Sequence, residues 1–294
     1  MSWVLFTLMA AFMQAWRNAF QKQLSSTVDA FGVTLARFIF AFPLAGFYLA
    51  YLYSHDSIHQ AVNFNSSFIV YVAIAAFSQI LATILLVQLF KQKNYAIGVG
   101  LAKSESILAA IIGVIFLGEF LSPLAWLGIF LGGFAVFLLS KGGLQSSKFS
   151  WQTLLIGVGS GLCFAITSLL VRQATLQIDM LPVLQRAAWV LFIITGIQCI
   201  CLLIFLSLFK RKTLTELWKR LGLVSSISLT SCLASLGWFS AMSMQSVAIV
   251  TTLGQIEVLF SLCISVFLFK EKLVRTDHWG LFWVVVAATL VIWA

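Results

Sequence analysis

Charge is what this chain has least of. Lys and Arg number 18 and Asp and Glu 9 among 294 residues, so charged side chains make up 9% of the sequence. An ordinary soluble domain carries roughly 25%. So few polar side chains cannot cover a water-soluble globule, although the length alone would allow two soluble domains. Histidine is nearly absent: His55, His59 and His278 all fall in short polar connectors, which excludes a histidine-based catalytic centre in the apolar body. The cysteines Cys163, Cys199, Cys201, Cys232 and Cys263 lie in apolar stretches with no CxxC pair and no nearby His, so no metal spacing exists and they read as small buried hydrophobes. No P-loop is present, so ATP does not drive the protein directly, and no GxSxG or HExxH supports an intramembrane enzyme. The sequence implies neither cofactor nor catalysis. No connector could house a soluble domain; the longest polar ones run near 54–65 and 210–221. The opening MSWVLFTLMA has no basic n-region, so the first apolar segment reads as a retained span rather than a signal.

What is there is apolar: 61% hydrophobic residues and a mean hydropathy of +1.04. A bilayer core takes about 20 mostly apolar residues per helix. Ten stretches qualify, at roughly 2–21, 30–53, 66–90, 95–117, 123–140, 151–171, 181–208, 222–243, 247–269 and 277–294. Continuous apolar runs of this length do not fit the dyad alternation of transmembrane strands. The expected fold is therefore an all-α membrane protein of ten transmembrane helices.

The net charge of +9 fits this reading better than nucleic-acid binding, because basic residues of a membrane protein mark its cytoplasmic loops. Lys22, Lys91, Lys93, Lys141, Lys148, Lys210, Arg211, Lys212, Lys219, Arg220, Lys270, Lys272 and Arg275 follow spans one, three, five, seven and nine. The connectors after spans two, four and eight hold no Lys or Arg, and that after span six only Arg172 and Arg186 at its ends. The positive-inside rule then puts both termini outside. The 210–220 segment, basic with Leu and Trp interleaved, is expected to lie against anionic headgroups.

The chain repeats itself. An offset of 152 aligns Glu105 with Glu257, Glu119 with Glu271 and Gly128 with Gly280; offsets near 150 pair Lys22 with Arg172, Asp29 with Asp179 and Arg37 with Arg186. Two five-span halves, 1–145 and 146–294, follow. An odd number of spans inverts the second half, and inverted repeats commonly enclose a site near the bilayer midplane.

At these residues the sequence resembles the EamA-type, ten-helix branch of the drug/metabolite transporter superfamily. The resemblance rests on Leu117-Gly118-Glu119 followed by Gly128, and Phe269-Lys270-Glu271 followed by Gly280. Glu105 and Glu257 stand where many members have Glu-Pro, with Ser106 and Val258 in place of the Pro; Arg37 near the start of helix two also fits. The resemblance implies two inverted repeats around a central cavity, and export or exchange of metabolites such as amino acids. It also implies cytoplasmic termini, against the charge count.

Charges in hydrocarbon are costly, so each intramembrane one is a candidate site. Gln14, Arg17, Asn18 and Gln21 share one face of helix one and form a cavity wall with Arg17 as an anion contact, or interhelical polar glue, or else Arg17 snorkels to the cytoplasmic interface. Lys103 and Glu105, two apart, do not share a helix face. Gln255 and Glu257 occupy the corresponding places in helix nine. Glu105 or Glu257 is either a proton-coupling carboxylate or a scaffold feature. Arg37 and Arg186 are expected either to pair with Asp29 and Asp179 at the membrane edge or to meet anionic substrate groups and take part in gating. Trp3, Trp126, Trp151 and Trp279 fit interfacial belts. Trp16, Trp189 and Trp238 lie deeper, Trp16 and Trp238 being candidates to stack on substrate. Gly157 and Gly161 form a GxxxG at which helices are expected to meet.

The expected partners are a small-molecule substrate, the lipid bilayer and a proton as coupling ion, with no nucleic acid, in a monomer or weak homodimer. The expected location is a bacterial inner (plasma) membrane. The leading reading is a secondary transporter working by alternating access. A multidrug exporter of cations is the alternative, and a non-transporting scaffold or receptor is the remote one.

Overall fold

A computed structural model describes residues 2–55, 62–92, 101–144, 151–268 and 275–294. Among them every regular element is helical. The helices are α1 (Ser2–Ser25), α2 (Ala30–Phe38), α3 (Ala41–His55), α4 (Ser66–Gln92), α5 (Glu105–Leu117), α6 (Pro123–Leu144), α7 (Trp151–Leu176), α8 (Val183–Phe209), α9 (Arg211–Trp218), α10 (Leu221–Met244), α11 (Val247–Leu253), α12 (Glu257–Leu268) and α13 (Arg275–Ile292), with a 3₁₀ turn at Gly254–Ile256.

Among the described residues six segments are long and apolar enough to cross a bilayer: Ala30–His55, Ser66–Lys91, Trp151–Leu176, Val183–Phe209, Leu221–Met244 and Val247–Ile264. Glu105–Leu117, Pro123–Leu138 and His278–Ile292 are shorter apolar helices. α1 has 24 residues but is not among the six, because its stripe of Gln14, Arg17, Asn18, Gln21 and Lys22 dilutes its apolar content.

Span two, expected as one helix over 30–53, is broken at Ile39–Phe40. The cause is Pro43, which has no N–H to donate to the Ile39 carbonyl and whose ring crowds it. The α10 residue Ser228 repairs the gap. Its hydroxyl donates to Ala36 O (2.7 Å) and accepts from Phe40 N (3.2 Å), so it stands in the place of one lost helical hydrogen bond. The connector after span seven forms α9, whose Thr213 and Leu217 are buried and whose Trp218 is exposed.

Packing follows an exchange of the two halves. α1 runs along α10, and α7 along α4; α5 packs on α7, as α12 packs on α1. The remaining spans meet their own counterparts: α2 and α3 on α8, α11 on α5, and α13 on α6. The end contacts repeat as well. Lys22, at the end of α1, donates to the Phe90 carbonyl on α4. Arg172, near the end of α7, donates to the carbonyls of Met242 (2.6 Å) and Gln245 (2.5 Å) at the end of α10. Glu119, in the turn after α5, pairs with Arg172 at 3.2 Å and so braces that connector. Its counterpart Glu271 lies outside the described residues.

Close approach explains the GxxxG. Gly157 lies against Leu101, and a Cβ on Gly161 would stand 3.1 Å from both Ala102 O and Glu105 N. The small-residue face of α7 thus meets the backbone of span four just where that span is irregular.

Candidate functional site

Spans four and nine are both interrupted immediately before a glutamate. In span four, Ser104 N bonds Leu101 O (3.2 Å) and Ser106 N bonds Lys103 O (3.3 Å), a tightened i+3 pattern, and α5 then starts at Glu105. In span nine the 3₁₀ turn Gly254–Ile256 precedes α12, which starts at Glu257. Each carboxylate occupies the first turn of a helix, where the positive end of the helix dipole favours it. Gly254 lets the edge of the Trp238 indole reach this break, since a Cβ there would collide with the ring.

The two glutamates are held in corresponding ways. Asn18 Nδ2 donates to Glu257 Oε1 at 2.7 Å, and Ser168 Oγ donates to Glu105 Oε1 at 2.7 Å. The offset near 150 carries Asn18 to Ser168, so in both cases the first span of one half supplies the donor and the fourth span of the other half the acceptor. Beyond this the site is asymmetric. Glu257, fully buried, also accepts from Gln14 Nε2 (2.7 Å) and forms an ion pair with Lys103, which is 7% exposed. Gln14 in turn accepts from Trp238 Nε1 at 2.9 Å, and the Lys103 ammonium lies 5.9 Å from the indole centroid. Among the described residues, Glu105 receives only the Ser168 bond.

These groups line a narrow cavity of about 50 Å³ together with Arg17, Arg37, Gln79, Phe164, Thr167 and Thr251. That volume holds a few water molecules, at roughly 10–15 Å³ each. Its ionisable lining comprises Arg17, Arg37 and Lys103 against Glu105 and Glu257, so cations outnumber carboxylates. All but Glu257 come from the first half. Arg17 is 1% exposed, and its Nε and Nη2 reach Asn18 Oδ1 at 3.2 and 2.9 Å.

The structure brings together Gln14, Arg17, Asn18, Arg37, Lys103, Glu105, Trp238 and Glu257. Three candidates lie elsewhere. Gln255 donates to Ser106 Oγ (2.7 Å) and packs on Gly132, a contact between helices rather than a cavity wall. Trp16 lies in an apolar cleft with Phe12, Phe260 and Phe267. Arg186 is half-buried near the start of α8 and lines no part of the cavity. The aspartate pairings also differ from expectation. Asp29 caps α2 by accepting from Gly32 N (2.8 Å) and pairs with Lys210 (2.7 Å), not Arg37. Asp179 is exposed and makes no ion pair with Arg186. Gln79, Thr83, Thr167 and Ser168 were not singled out from the sequence. The offset that pairs Lys22 with Arg172 also carries Arg17 and Asn18 to Thr167 and Ser168, which is the signal for two of them.

A helical bundle of apolar spans enclosing buried charges defines an integral membrane protein of the transporter class. The chain belongs to the EamA-like transporter family, which it matches over residues 1–141 and 151–293. No curated protein gives a significant match. A protein solved by crystallography, 15% identical, superposes with a TM-score of 0.68 over 98% of this chain and 96% of its own, a likeness of fold.

Proposed function

We propose that the protein is a secondary transporter of a small solute bearing an anionic group, an amino acid or related metabolite, working by alternating access. Its ten spans form two inverted halves, 1–145 and 146–294, which exchange access to the cavity from the two sides of a bacterial inner membrane. The observation that carries this reading is the buried, charge-lined cavity at the breaks of spans four and nine. Costly intramembrane charges facing a cavity are the signature of a solute pathway. The cavity is too narrow for an amino acid, so the helices must part to admit one, as alternating access requires. Its excess of cations favours an anion-bearing solute over the cationic drug of a multidrug exporter.

The two glutamates divide their roles. Glu257 is bonded on both oxygens and paired with Lys103, so it holds the halves together. Glu105 keeps one oxygen without a protein donor among the described residues and is the coupling carboxylate, taking up the proton that drives flux. Full-length protein in vesicles is expected to move amino acids in response to a proton gradient. Glu105→Gln, which preserves shape and the Ser168 contact, is expected to fold normally and lose at least tenfold in gradient-driven flux. No driven flux for any amino acid in the wild type refutes the transport reading; full flux in the variant refutes the role of Glu105.

The excess of basic residues in the connectors after odd-numbered spans supports termini outside the cytoplasm. Lys22, Lys91, Lys210 and α9 belong to those connectors, and the Lys210–Asp29 pair ties two of them together. A reporter fused to the C-terminus is expected to read as periplasmic; a cytoplasmic signal overturns this orientation.

A further inference from the structure

An arginine with a structural role surrounds itself with acceptors, and the half-buried Arg172 is an example. Arg172 donates to two helix-terminal carbonyls and pairs with Glu119. Arg37 is different. It is 3% exposed, on the last turn of α2, and lines the cavity. Nη1 donates to Thr83 Oγ1 at 2.8 Å, while the Thr83 hydroxyl spends its own proton on Gln79 O. The buried Nε has no acceptor. Among the described residues no carboxylate stands within ion-pair distance of Arg37. Its nearest ring, Phe38, lies 5.2 Å away and supplies no counter-charge. Arg17 repels it and Glu105 attracts it from beyond contact.

A guanidinium carries five N–H donors in a planar fork, and here one neutral acceptor meets them. Leaving such a cation buried without an anion is strongly unfavourable for the empty protein. Arg186 also has an unbonded Nε, but it is half-buried at a helix start and outside the cavity. Within the cavity Lys103 is matched by Glu257, whereas Arg37 has no ion pair among the described residues.

We propose that Arg37 is the receptor for the carboxylate of the transported solute, a single planar oxyanion that completes its fork within the cavity. The solute class is then a monocarboxylate, zwitterionic amino acids included. This rests on the transport reading and deepens it.

The test uses full-length purified protein and two measurements. The first is the thermal midpoint without ligand. Arg37→Gln removes an uncompensated buried charge, so its midpoint is expected to equal or exceed that of wild type, whereas Arg172→Gln lowers it. The second is the shift of that midpoint by the twenty amino acids, acetate, lactate and succinate, against lactamide and alaninamide. Monocarboxylates are expected to stabilise wild type and their amides not. Affinity is expected to fall roughly a hundredfold in Arg37→Gln and about tenfold in Arg37→Lys, which keeps the charge but loses the fork. A midpoint in Arg37→Gln lowered as far as in Arg172→Gln overturns the proposal, as does amide binding equal to that of the acid, or no response of wild type to any carboxylate. Vesicle flux separates the two levels. Driven flux with unchanged KM in Arg37→Gln removes the subsite and leaves the transport reading. Carboxylate binding without flux of any bound solute does the reverse.

Discussion

Replacing Glu257 with Ala is expected to destabilise the folded protein by about 3–5 kcal/mol and to abolish flux. The side chain is fully buried and accepts from Gln14, Asn18 and Lys103 at once. Removing it strands the Lys103 ammonium, 7% exposed, without its counter-charge, and leaves the amide donors of Gln14 and Asn18 without their acceptor. The desolvation cost of that ammonium was incurred on folding and is then no longer offset. The effect is therefore expected to reverse when the partner goes too. The double variant Glu257→Gln with Lys103→Met replaces an ion pair by neutral groups of similar shape, and such exchanges are close to neutral or stabilising. Thermal denaturation in detergent of the wild type, both single variants and the double variant gives the coupling energy. If the two single changes add, the pair does not hold the halves together and the assignment of Glu257 as a latch fails. Flux is expected to stay low in the double variant, because Lys103 and Glu257 also shape the cavity wall.

Gly161→Leu is the second change with a large expected effect. A side chain on Gly161 meets the Ser104 hydroxyl first and, behind it, backbone that cannot turn aside, Ala102 O and Glu105 N. Overpacking a core typically costs about 1–3 kcal/mol. Here the upper end of that range or more is expected, since the obstructing atoms belong to the tightened turn that presents Glu105. The variant is expected to yield little monodisperse protein, and what folds is expected to have lost substrate response through a displaced Glu105. Gly222→Leu is the control: a Cβ there has nothing within 4 Å, near the start of α10. Size-exclusion profiles and thermal midpoints of the two variants check this. Equal behaviour of both means that α7 does not press on the break of span four.

The two changes test different consequences of one arrangement. The halves meet through polar contacts at the glutamates and through small residues at the helix crossings. Neither type of contact relies on the hydrophobic effect, which offers little drive between helices already in lipid. That is why polar and glycine positions, rather than large apolar ones, carry the largest expected effects here.

Much of this was legible in one dimension. Composition and run length alone required apolar helices in a bilayer, because 9% charge cannot solvate 294 residues and a helix satisfies its own backbone in lipid. The repeat was visible because Glu105 and Glu257, Glu119 and Glu271, and Gly128 and Gly280 share one offset. The polar stripe of α1 was visible because helical periodicity puts Gln14, Arg17 and Asn18 on one face, and three intramembrane residues of this kind are expensive unless they meet a cavity or one another.

What periodicity cannot express is which helix that face meets. Only the tertiary structure decided that Lys103 crosses to Glu257 rather than serving its neighbour Glu105, and that Gln255, two residues before Glu257, turns away onto Ser106. Only it decided that Asp29 pairs with Lys210, nearly two hundred residues away in sequence, leaving Arg37 inside without a counter-charge. It also set the break in span two: Pro43 is readable as a kink, but Ser228, which closes the gap, lies on α10. The physical reason is the same in each case. Burial of a charge is a property of the residue and its apolar neighbours in sequence. Its neutralisation is a distance between helices, and that distance exists only once the two halves have packed.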